Sequence, residues 1–159
     1  MRHAWLMAAV LLWSGCAAAA AKEPNLKFRD LKHGGFAASS SATPQIVLAP
    51  DAEAYRRIWD VLIGSGSPPQ IDPAREVAIF LLDREHPTGG YSVEVEGVVL
   101  DSGTAIVKVV LHTPERGSVT TQVLTTPFAV IAIPSAGVTA ARWVDASKGT
   151  VVAETPKSP

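Results

Sequence analysis

The sequence predicts an α+β fold: a twisted, mainly antiparallel β-sheet with one amphipathic helix, about residues 52–63, packed on a face. Two runs, Glu76–Asp83 and Phe128–Ile133, are apolar on both faces, as strands covered on each side are. Residues Tyr91–Val99 alternate, with Tyr91, Val93 and Val95 on one face and Ser92, Glu94 and Glu96 on the other. Helical spacing is clear in one stretch, where Tyr55, Ile58, Trp59 and Leu62 share a face.

The elements follow in chain order. Asn25–Leu31 alternates around Leu26 and Phe28 and reads as a first strand, broken by Gly34-Gly35. Ala37–Pro44 is small and polar, an exposed loop, and Ile46-Val47-Leu48 gives a short strand. Asp51 caps the helix, because its carboxylate can accept from a free amide of the first turn. Tyr55 and Trp59 then anchor the helix on a sheet, and Gly64-Ser65-Gly66-Ser67-Pro68-Pro69 ends it. A loop around Ile71-Asp72-Pro73 leads into Glu76–Asp83. Asp101-Ser102-Gly103 turns the chain into Thr104–His112, where Lys108 would lie across from Glu94 or Glu96. A polar connection, Thr113–Thr121, precedes Phe128–Ile133, and Ala140–Val144 and Thr150–Ala153 read as edge strands.

The chain has 159 residues, 14 Lys or Arg against 15 Asp or Glu, and a formal charge of −1. That balance, with few aromatic residues, argues against a nucleic-acid surface. The single cysteine, Cys16, falls in the leader, so the body has no internal disulfide or thiolate metal site. Residues 1–21 read as a secretory signal: Arg2, then an apolar stretch Ala4–Trp13, then small residues. Leu12-Trp13-Ser14-Gly15-Cys16 resembles a bacterial lipobox, although Trp13 replaces the usual aliphatic residue. That resemblance implies acylation of Cys16, and Ala17 after it implies an outer-membrane address. Cleavage after Ala19-Ala20-Ala21 would instead release a soluble periplasmic protein. The expected organisation is a signal (1–21), a spacer and first strand (22–44), a domain (45–145) and a tail (146–159).

No catalytic set emerges. His3, His33, His86 and His112 show no metal-ligand spacing, and Ser65 and Ser102 stand in no nucleophile elbow. Asp83 and Glu85, bracketing Arg84, read as solvated charges at a strand end. Gly64-Ser65-Gly66 follows a helix instead of preceding one, the wrong order for phosphate binding. The sequence therefore calls for no cofactor, no metal and no catalysis.

The most distinctive stretch is His86-Pro87-Thr88-Gly89-Gly90-Tyr91, between two strands. Pro87 stiffens it, and the two glycines permit a sharp turn. It is either hairpin punctuation or an exposed contact loop of the kind that gathers binding residues. Together with Tyr55-x-x-x-Trp59, the Asp72 loop and Thr126-Pro127-Phe128, this order over residues 45–134 resembles the PrcB C-terminal domain family. The departures are Asp83-Arg84-Glu85, where a glycine is common, and Pro73, where an aromatic is usual. The family is named after a subunit of a protease complex. The resemblance implies a non-catalytic, secreted or lipid-anchored accessory domain. Its partner is then a secreted protease or another envelope protein, met through His86, Pro87, Thr88, Gly89, Gly90 and Tyr91. The same loop resembles that of chagasin-like cysteine-protease inhibitors, with Arg142-Trp143 a partial echo of a second inhibitory segment. Protease inhibition is the alternative this implies.

Overall fold

The computed structural model describes residues 25–64 and 66–155. The leader with Cys16, Ser65 and the last four residues of the expected tail lie outside them. Among the described residues no helix is long and apolar enough to cross a membrane.

The α+β expectation holds, but the strands divide between two sheets. Strands run β1 (Asn25–Leu26), β2 (Arg29–Gly34) and β3 (Gln45–Ala49), then α1 (Ala52–Leu62), then β4 (Glu76–Leu82). After these come β5 (Ser92–Asp101), β6 (Thr104–His112), β7 (Phe128–Pro134), β8 (Ala140–Asp145) and β9 (Val151–Glu154). One sheet has the order β1-β5-β6-β8-β9 and the other β2-β7-β4-β3. All pairs are antiparallel except β6 with β8.

The apolar pattern of β4 and β7 explains the layering. Val77, Ile79 and Leu81, with Ala129, Ile131 and Ile133, meet Val93, Val98, Val107 and Trp143 in a core between the sheets. Ala78, Phe80, Leu82, Phe128 and Val130 point the other way, against Tyr55, Trp59 and Leu62 of α1. Both faces of these strands are thus covered, as their apolar runs require. Asp51 caps α1 by accepting from the Ala54 amide at 2.8 Å. The helix–sheet contact is aromatic: Tyr55 and Trp59 of α1 and Phe80 of β4 sit with ring centres 5.9–6.4 Å apart. Tyr55 donates to the Pro69 carbonyl and Trp59 to that of Gly66, so neither aromatic buries an idle donor. Burial pushes the Tyr55 phenol up to about 12, against a smaller lowering by Arg29.

Several local expectations are corrected. The single strand at Asn25–Leu31 is two strands in different sheets. The chain leaves β1 at Lys27-Phe28 and enters β2, so one apolar/polar alternation serves two partners. Ala140–Val144 is not an edge strand: β8 lies between β6 and β9, and Trp143 on it is wholly buried. Lys108 faces Gly97, because a bulge between Val95 and Gly97 shifts the register. Glu94 is met instead by His112, at 2.6 Å. β1, β2 and β9, on either side of residues 45–145, pair into the sheets as well.

Candidate functional site

The loop joining β4 to β5 is built on a buried carboxylate–imidazole pair. Asp83 leaves β4 with its amide bonded to the Pro127 carbonyl at 2.8 Å. Its Oδ1 accepts from the Arg84 amide, and its Oδ2 lies 2.7 Å from His86 Nε2. Asp83 and His86 are both only 6 % exposed. The expectation of solvated charges at this strand end therefore fails for Asp83. The reason is long range. Residues 113–127 fold back as a strap over the loop.

Each turn of the loop is fastened to that strap. His86 and Thr125 exchange two backbone hydrogen bonds, at 2.8 and 2.9 Å. Thr125 Oγ1 donates to the Thr88 carbonyl at 2.7 Å, and the Gly89 amide donates to the Thr121 carbonyl at 2.9 Å. Gly89 is buried, and a Cβ there would overlap Thr121 Oγ1. Gly90 has φ +91°, and a Cβ on it would meet the Pro114 ring at 2.9 Å. Both glycines thus answer to close approach, and Gly90 to backbone conformation as well. Tyr91 closes the loop by stacking on His86, with ring centres 3.8 Å apart and planes 14° from parallel.

Of the six loop residues, His86 and Gly89 turn inward. Pro87 and Gly90 are exposed, and Thr88 and Tyr91 are half-buried. The strap adds exposed apolar side chains at Val123 and Leu124, and Phe36, whose backbone pairs with Thr126, is exposed too. The sequence reading missed Asp83, Thr121 and Thr125. The one signal available for Asp83 was a carboxylate three residues before a histidine at a strand end.

The PrcB C-terminal family model matches residues 78–134. The resemblance read from the sequence is thereby shown, over a narrower span than 45–134. The matched segment runs from β4 through the loop, β5, β6 and the strap to the end of β7, and leaves α1 and β8 outside. It contains the loop and the strap that clamps it, while Ser41, whose carbonyl accepts from the Glu85 amide at 2.9 Å, lies outside. No curated protein and no solved structure matches the chain.

Two other sequence-level candidates are placed as well. Trp143 lies in the inter-sheet core, so Arg142-Trp143 offers no exposed aromatic wedge of the kind an inhibitor would use. Among the described residues, no three His, Cys, Asp or Glu side chains gather to hold a metal ion.

Proposed function

We propose that the chain is a non-catalytic accessory module of the bacterial cell envelope that docks on a protein partner, in the first place a secreted protease. The contact surface is the outward part of the β4–β5 loop, Pro87, Thr88, Gly90 and Tyr91, extended by Val123 and Leu124 of the strap. The observation that carries this reading is the clamping. A loop fastened at His86, Thr88 and Gly89 loses little conformational freedom when another surface closes on it, so binding is not spent on ordering. The family's name, after a protease-complex subunit, supports the same class of partner. Export follows from the leader. Acylated Cys16 holds the protein at the outer membrane, or cleavage after Ala21 frees it in the periplasm.

The test is chemical cross-linking in envelope preparations, followed by mass spectrometry of the adducts. The double variant Thr88→Ala, Leu124→Asp alters one half-buried and one exposed side chain and leaves the Thr88 carbonyl bond in place. It is expected to keep its thermal midpoint and lose the protease adduct. An unchanged adduct set from a folded double variant sinks the assignment of this surface.

A further inference from the structure

β5 is covered unevenly. On one side it pairs with β6 along its whole length. On the other, β1 reaches only Val98 and Val99 before the chain turns away at Lys27-Phe28 into the second sheet. Among the described residues, no strand flanks Ser92–Glu96 on that side. Five residues of β-strand amount to roughly 16 Å of open edge. Natural sheets guard such edges with lysine, proline or a bulge. β2 follows that rule, with Lys32 and a bulge between Asp30 and Lys32. Ser92-Val93-Glu94-Val95 carries neither lysine nor proline, and its bulge falls only at the far end.

A cleft of about 420 Å³ opens beside this edge. Its apolar lining includes Phe28, Val93, Val95 and Ile131, and its polar lining includes Asp30, His33 and Glu94, with no Lys or Arg. Asp30 bonds to His33, and Glu94 to His112. An extended peptide sends alternate side chains to opposite sides. One set would enter the apolar part of the cleft, and the other would meet the carboxylates.

We propose that Ser92–Glu96 takes up an extended segment of a partner protein as an added strand, apolar at alternate positions with a basic residue between them. Main-chain hydrogen bonds would supply affinity and the cleft specificity. This deepens the protein-docking reading and rests on it, because β5 begins where the contact loop ends. β1 meets β5 at its far end, with Asn25 opposite Val99 and Leu26 opposite Val98, and leaves Ser92–Glu96 uncovered.

The experiment uses the isotope-labelled full chain and three heptapeptides in which valine alternates with lysine, serine or glutamate. Amide chemical shifts and hydrogen exchange are followed at pH 8. The lysine peptide is expected to slow exchange at Ser92–Glu96 and to bind several-fold tighter than the glutamate peptide. Glu94→Lys is expected to narrow or reverse that preference. The proposal is overturned if no peptide protects these amides at millimolar concentration, or if the glutamate peptide binds as well as the lysine peptide. Amides already protected in the free chain also overturn it: concentration-independent protection assigns the edge to the chain's own segment, and concentration-dependent protection to a second copy. Loss of cross-linking in the loop variant without any peptide binding would leave the docking reading standing and remove the added strand.

Discussion

Two connections in this fold solve the same problem in opposite ways. The turn between β8 and β9 is stabilised mainly by its own residues, with one outside bond from the Ala146 amide to the Val109 carbonyl. Asp145 Oδ1 accepts from Ser147 Oγ and from the Ser147 and Lys148 amides, and the Gly149 amide donates to the Asp145 carbonyl. Lys148 Nζ stands 3.4 Å from the other carboxylate oxygen. The loop between β4 and β5 draws instead on Pro114, Thr121, Thr125 and Pro127, a distant stretch of chain. The first is a local turn. The second is a shape held from outside, which is how a short loop can be both exposed at its tip and fixed. The hydrogen bonds around Asp145, that of the Ser147 hydroxyl foremost, hold its carboxyl down to about 2, against the opposing effect of burial.

The largest test of this contrast is His86→Ala. It strips the buried Asp83 carboxylate of its side-chain partner and Tyr91 of its stacking surface. Losing one member of a buried pair typically costs about 3–5 kcal/mol. Denaturant unfolding measures it, and a loss of less than about 1 kcal/mol would mean that the pair does not hold the loop. Next comes a matched pair of glycine substitutions. Gly90→Ala combines positive φ with the Pro114 contact and is expected to cost about 2–3 kcal/mol. Gly149→Ala, at φ +68° with open space around it, is expected to cost about 1–2 kcal/mol. Equal losses would erase the distinction between a clamped and a free turn.

The smallest effect concerns pH. An unfolded Asp titrates near 4, roughly. A depressed folded value means that the folded state binds fewer protons between the two values. The stabilisation from Asp145 is therefore complete above about 4 and lost as pH falls through about 2. Asp145→Asn is expected to lower the thermal midpoint at neutral pH and to converge on the parent near pH 2, roughly. A gap that stays constant down to that pH would assign the loss to packing rather than to the carboxylate.

The legible parts of this chain were those whose burial is repeated along one element. β4 and β7 announced themselves because successive residues feed opposite cores, and α1 because Tyr55, Ile58, Trp59 and Leu62 return to one side. Assembly was less legible. Nothing at Lys27-Phe28 punctuates the switch between sheets, for neither glycine nor proline stands there. The parallel partnership of β6 and β8 depends on β7 joining the other sheet first. In the candidate site, the sequence marked the glycine turn but not what encloses it. Asp83 and His86 look like surface residues until Thr125, some forty positions later, is brought alongside.

The handover at Lys27-Phe28 also has a consequence in time. Asn25 finds its partner at Val99, and Arg29 finds its own at Ala132. Asn25 must therefore wait for a partner 99 − 25 = 74 positions later, and Arg29 for one 132 − 29 = 103 positions later. Long-range pairings of this kind form slowly. The seam at Lys27-Phe28 thus joins the first-made part of the body to the pairings of longest sequence separation among the described strands.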